Sequence, residues 1–265
     1  MCFFKKWCVN FSLLLSCALA HAQERDTFHQ YNLPKKNFLS ENLDYRIQAH
    51  FSLGGSSPLG LPQEIREIKS YNPTLQVGLE ANATLWPKRE SKIGLRLGIA
   101  VEGKGMRTNA RVKNYLTGII QDHSEVTGYF TGEVETFVSN TYVTVPILAI
   151  YHLNENWNFY GGMYVSAAIA KTFNGYVSNG YLRQNTPVGT KISFENENRA
   201  NYDFSDEIRT MQWGARIGSE RFLNNNFVLM SDLTYGFNGI LEKDFHSISF
   251  NLHNIYMNIG FGYRF

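Results

Sequence analysis

The sequence predicts an all-β protein: an eight-stranded antiparallel up-and-down transmembrane β-barrel with long extracellular loops. Three observations lead there. Apolar and polar residues alternate with a period of two over segment after segment, which gives strands with one apolar and one polar face. Short charged or Asn-rich turns alternate with long polar stretches, the rhythm of a membrane barrel. Beyond the N-terminal leader no apolar run reaches the ~20 residues of a membrane helix, yet aromatics are abundant, with 19 Phe and 15 Tyr in 265 residues. A barrel strand shows lipid only every second residue, so its mean hydropathy stays low; for the whole chain it is −0.27.

The chain divides into a leader (1–22), a polar lead-in (23–41) and the barrel (42–265). Lys5 and Lys6, the apolar run Val9 to Ala20 and the small-x-small site Ala20-His21-Ala22 form a secretory signal. Cleavage after Ala22 is the expected outcome. Leu14-Leu15-Ser16-Cys17 leaves lipid attachment at Cys17 as the alternative. Either way the body of the protein carries no Cys after Cys17, and so no disulfide or further thiolate chemistry. Of 25 basic residues, Lys5 and Lys6 lie in the leader, and the remainder equals the 23 acidic ones. That balance gives no argument for a nucleic-acid partner.

The first expected strand is Leu43 to Leu53, closed by Gly54-Gly55-Ser56-Ser57-Pro58. Pro62 to Lys69 reads as a short helix, with Pro in its first turn and Ile65 and Ile68 three apart. Strands follow at Leu75 to Trp86 and Ile93 to Lys104. Gly105 to Asn140 is expected to be a long loop whose ends extend its flanking strands. Strand four, Thr141 to Leu153, contains Pro146, which lacks a ladder donor, so a bulge or weak pairing is expected there. Trp157 to Phe173 is the fifth strand, and Asn174 to about Arg209 a second long loop. Thr210 to Phe222 and Phe227 to Asn238 form a hairpin, and a shorter loop, 239–247, leads to the last strand.

That last strand ends Phe261-Gly262-Tyr263-Arg264-Phe265. Its aromatics Phe261, Tyr263 and Phe265 lie on one face and form the expected barrel-insertion signal, read by a barrel-assembly machinery. The outward faces are expected to meet outer-membrane lipid, including lipid A. With the short turns on the periplasmic side, Trp86, Trp157 and Phe265 fall near one interface, as an aromatic girdle requires.

The inward faces carry Arg46, His50, Glu80, Arg96, Glu102, Lys104, Arg216, Glu220, Asp232 and Arg264. An eight-stranded interior is only wide enough to be filled by side chains, and an unpaired buried charge costs several kcal/mol. These charges are therefore expected to pair into a plug, Arg216 with Asp232 among them. A small-solute pore is the alternative.

Asp244, His246, Ser247 and Ser249 gather near the last loop, but His246 and Ser247 are neighbours and would point to opposite faces of a strand. A Ser–His mechanism needs them in contact, so catalysis, including lipid A hydrolysis, is not expected. The seven His show no metal-ligand spacing, no phosphate loop is present, and no cofactor is expected. Tyr115, Tyr129, Phe130, Tyr176, Tyr181 and Tyr202 mark the long loops as places for protein or glycan contact.

The Tyr263-Arg264-Phe265 ending, the leader and the strand-turn-loop rhythm resemble PorT-type outer-membrane β-barrel proteins, often called porin-family proteins. Gly54 to Pro62 with Glu64-Ile65-Arg66, Lys104-Gly105-Met106, Ala110 to Tyr115 and Tyr202 to Asp206 are similar to segments of one branch of that family. The resemblance spans about residues 40–265. It implies an eight-stranded barrel of the small OmpA/OmpX shape, and, through PorT itself, an accessory role beside a secretion apparatus that maps onto no particular residue here.

Overall fold

A computed structural model describes residues 42–265, apart from 89, 122–123, 195–197, 246 and 249. The leader and lead-in expected over 1–41 lie outside the described residues. Twelve strands are present among those described: β1 Leu43–Pro58, β2 Ile65–Asn72, β3 Gln76–Leu85, β4 Ile93–Gln121, β5 Ser124–Asn154, β6 Trp157–Ala170, β7 Phe173–Gln184, β8 Lys191–Phe194, β9 Ala200–Asp203, β10 Met211–Phe222, β11 Phe227–Gly236 and β12 Leu252–Arg264. All pair antiparallel, in one sheet.

The sheet closes on itself. β1 pairs β3, β3 pairs β4, β4 pairs β5 and β5 pairs β6. From there β6 pairs β10, β10 pairs β11, β11 pairs β12, and β12 returns to β1. A closed circuit leaves no strand edge to satisfy. The total exceeds the eight strands expected because β2, β7, β8 and β9 form where the sequence suggested a helix and a loop.

Around this circuit even-numbered residues point inward and odd-numbered residues outward. Leu97, Val165 and Phe261 are 50%, 45% and 58% exposed, whereas Arg96 and Asp232 are 1% and 3% exposed. Leucines, isoleucines and phenylalanines thus form the outer surface, and charges the interior, the reverse of a soluble barrel.

A strand crosses a bilayer in ~9–11 residues, yet β4 and β5 have 29 and 31. They leave the circuit together and pair as far as Gln121↔Ser124, so the expected 105–140 loop is a hairpin. Along it the interior changes character. Past Lys104 the inward residues of β4 become Met106, Val112, Tyr115 and Ile119, and those of β5 become Val138, Val134 and Phe130. β7 packs along β5, and β9 bridges β7 to the tip of β4 at Ile120↔Asn201. Together they enclose a second, apolar core that includes Phe173, Val177, Leu182, Phe204 and Ile208. The 174–209 loop expected from sequence is therefore largely strand.

Local irregularities explain why this was hidden. Between Val112 and Tyr115 a bulge shifts the register, with Asn114 at φ 55°. One extra residue moves the inward face from even to odd numbers, so the alternation breaks mid-strand. β2 replaces the expected helix for a similar reason. Register shifts between Ile65 and Glu67 and between Ile68 and Ser70 space the apolar residues Ile65, Ile68 and Tyr71 three apart, which mimics a helix. β4's free edge supplies the ladder partner that makes a strand. The fifth expected strand stops at Ala170 rather than Phe173. Pro146 introduces no bulge, but the rungs Gly98↔Pro146 and Ile99↔Val145 are missing from the β4–β5 ladder, as its absent donor dictates.

Candidate functional site

The circuit's interior is the first place where chemistry gathers. Arg46, Arg96, Lys104 and Arg216 are buried there against Glu80, Glu102, Glu220 and Asp232, four cations facing four carboxylates. They form three linked groups. Glu220, on β10, accepts both guanidinium nitrogens of Arg96, Nη2 at 3.1 Å, while Arg46 Nη1 approaches it at 2.7 Å. Arg96 also donates Nε to Thr84 at 3.0 Å. Arg216 spans two acids, donating to Glu80 at 2.6 Å and to Asp232 at 2.8 Å. Lys104 lies 3.2 Å from Glu102, which also accepts from Thr144 at 2.7 Å and has His50 Nε2 at 3.5 Å.

Neutral side chains complete the acceptors. Tyr160 and Asn258 donate to Asp232 at 2.8 and 2.6 Å, and Asn82 donates to Glu80 at 2.9 Å. The Lys104 ammonium sits 5.0–5.8 Å from the rings of Tyr142, Tyr164 and Tyr256, a geometry that attracts a desolvated cation. A paired and hydrogen-bonded charge avoids most of the burial penalty that an isolated one would carry.

The backbone register makes room for this. Arg216 stands opposite Thr234, and Gly218 opposite Asp232, so Arg216 and Asp232 meet diagonally across the β10–β11 hairpin. A Cβ on Gly218 would lie 2.4 Å from Asp232 Cβ and 2.7 Å from Tyr160 Cζ. Glycine there lets the tyrosine reach the carboxylate. Arg264 stands apart, half-buried, its guanidinium 5.2 Å from the Phe222 ring. No ion pair to it occurs among the described residues.

The terminal aromatics Phe261, Tyr263 and Phe265, expected to form the insertion signal, all point outward. Tyr263 contacts Phe227 and Phe265 edge-on, at ring separations of 5.3 and 5.1 Å. Trp86 donates Nε1 to Asp44 at 2.9 Å, a polar handle suited to a membrane interface.

The second place is the outer surface of the β4–β5 extension. Lys69 pairs with Glu133, and Arg107 donates Nε to Glu135 at 2.7 Å. Tyr176 donates to Glu135 at 2.6 Å. The Lys69 hydrogen bond holds the Glu133 carboxyl below its ordinary range. Burial pushes Glu135 upward, but the bonds from Tyr176 and Arg107 outweigh it, and its carboxyl is lowered. Of the aromatics expected to meet a partner, Tyr115, Phe130 and Tyr202 are instead buried in the second core. Tyr129, Tyr176 and Tyr181 remain partly exposed. His246 and Ser249, weighed as catalytic candidates, lie outside the described residues. No group of three metal-ligating side chains occurs among the described residues.

Sequence reasoning found the interior charges through their period-two phase. It left out of the network the neutral groups Tyr160, Asn82, Thr144 and Asn258, which share that phase.

No curated protein matches the chain. Among solved structures it is similar to Ail, the attachment invasion locus protein of Yersinia pestis, at 11% identity over 84% of this chain and 99% of that one, TM-score 0.35. It is also similar to the outer membrane protein OprG of Pseudomonas aeruginosa, at 14% identity over 84% and 95%, TM-score 0.31. The family described as outer membrane protein beta-barrel domain matches residues 22–242. That match spans the circuit as far as β11 and the whole of the β4–β5 extension, and the chain belongs to this outer-membrane β-barrel family.

Proposed function

We propose that the circuit β1–β3–β4–β5–β6–β10–β11–β12 is an eight-stranded transmembrane barrel with a closed interior, and that the protein is non-enzymatic. Its role is to hold the β4–β5 extension, with β2, β7, β8 and β9, outside the cell as a folded platform for protein or glycan contact. One observation carries this reading. The same two strands line a charge-paired interior within the apolar band and then enclose an apolar core beyond it. A rigid scaffold that projects loops is suited to recognition, and an eight-stranded interior filled by side chains is not suited to conduction.

Single-channel recording of the purified protein in planar bilayers tests the plug: no steady conductance is expected, and a stable open level would overturn it. The platform is tested in intact cells with an epitope inserted at the exposed turn beside Val188, which is 87% exposed. Antibody binding without permeabilisation is expected. Signal only after permeabilisation contradicts the proposed orientation.

A further inference from the structure

A cavity of about 420 Å³ lies where the charged interior gives way to the apolar core. It is bounded by the far end of β1, by β2, β4 and β5, and by the segment entering β12. Met106, Val112, Tyr115, Val134, Phe173 and Leu252 are among its apolar lining, and none of its lining side chains is charged. The polar groups Ser57, Thr108 and Thr136 also line it.

The cavity lies beside a break in the sheet. The β1–β3 ladder ends at Ser52↔Gln76, and β2 pairs β4, so beyond Ser52 no rung joins β1 to β2 or β3 among the described residues. Gly55 borders this gap: a Cβ there would meet Met106 Sδ at 2.7 Å and Tyr71 Oη at 3.4 Å. Leu59, Leu61, Ile68, Tyr71 and Leu75, around the same opening, are 50–67% exposed. Leu75 continues directly into the outward row Val77 and Leu79 of β3, so the opening is continuous with the apolar band of the barrel. An apolar patch that runs from a membrane-facing surface into a partly open apolar cavity suits a ligand that arrives from the lipid.

We propose that this cavity binds the alkyl chain of a single-chain amphiphile, a long-chain fatty acid, which enters sideways between β1 and β2. A water claims about 30 Å³ of liquid and a methylene is of similar size, so the space holds on the order of a dozen methylenes, one chain rather than two. Uncharged walls leave the carboxylate at the mouth, beside Ser57 and Tyr71. Met106 is the adaptable element, since an unbranched thioether repacks around chains of different length. The proposal takes the apolar band as membrane-facing and is indifferent to which side of the membrane the platform occupies.

The test is photolabelling of the full-length protein in phospholipid nanodiscs with a diazirine-bearing palmitic acid, mapped by mass spectrometry. Label is expected on peptides carrying Met106–Val112 and Ile248–Leu252, and excess unlabelled palmitate should remove it. Ala110→Trp fills the cavity and Gly55→Leu obstructs its mouth. Each is expected to cut the label there by about tenfold or more, while label on lipid-facing Leu97 and Phe261 persists. Circular dichroism and heat-dependent gel mobility report whether each variant is folded. Palmitate that fails to compete on the wild-type protein overturns the proposal, as does label that survives in a folded variant. Absence of label in the cavity peptides, with the nanodisc phospholipid in large excess, also overturns it. Failure of the intact-cell epitope test would sink the platform's orientation and leave this result standing.

Discussion

Arg216 ties distant parts of the interior together, because it touches Glu80 on β3 and Asp232 on β11. Truncation leaves two carboxylates buried without a cation. Arg216→Ala is expected to destabilise the barrel by about 3–5 kcal/mol, the usual cost of breaking a buried pair, measured by urea unfolding in lipid bilayers. Gly218→Ala acts on the same cluster by volume, driving a methyl group into Asp232 and Tyr160. About 1–3 kcal/mol is expected in the same assay. Outside the membrane band, pH should matter through Glu133 and Glu135. Both carboxyls are lowered in the folded state. Their contribution is therefore complete above the ordinary carboxylate range near ~4.3, and it is lost as pH falls through the lower folded values. Protease resistance of the β4–β5 extension should weaken below that range in wild type. Glu135→Gln should be weaker already at neutral pH and respond less to acid. Equal acid sensitivity in the variant would rule out this carboxyl.

Among the elements, β4 shows how one strand serves two environments. Its first half is read easily, since Ile93, Leu95, Leu97, Ile99 and Val101 keep strict alternation. Its second half is not, because the bulge at Asn114 resets the phase and because Thr108 and Ala110 interrupt the apolar row. Deleting Asn114 removes the extra residue, so Val112, Tyr115 and Ile119 should fall on one strict alternation and keep facing their core. The expected result is an extension as resistant to protease as the wild type, and cleavage to a trimmed, heat-modifiable fragment would show that the bulge itself is needed. β2 was illegible for the same reason: two bulges gave it helical spacing, and only the open edge of β4, a long-range partner, decides for strand. Strands β7 to β9 were hidden because their polar residues, Asn174, Asn201 and Asp203 among them, face water on one side of a sheet whose other side is apolar.

At the scale of the molecule, the sequence carried the circuit and its sidedness, because lipid outside and paired charges inside impose one rule on every strand. It did not carry the second core, whose apolar residues lie as far apart as Met106, Phe173 and Ile240 and which only tertiary pairing assembles. Arg216 and Asp232, close across one hairpin, could be matched from the sequence, whereas Arg96 and Glu220, 124 residues apart, could not. Sidedness reverses along β4 and β5. The most direct measurement is power-saturation electron paramagnetic resonance of single spin labels on the protein in bilayers, placed at Leu97, Val165, Ile119 and Val188 in turn. Leu97 and Val165 are expected to be accessible to oxygen dissolved in lipid, Val188 to a water-soluble relaxant, and Ile119 to neither. Leu97 and Val165 shielded from oxygen, with Ile119 open to lipid, would contradict it.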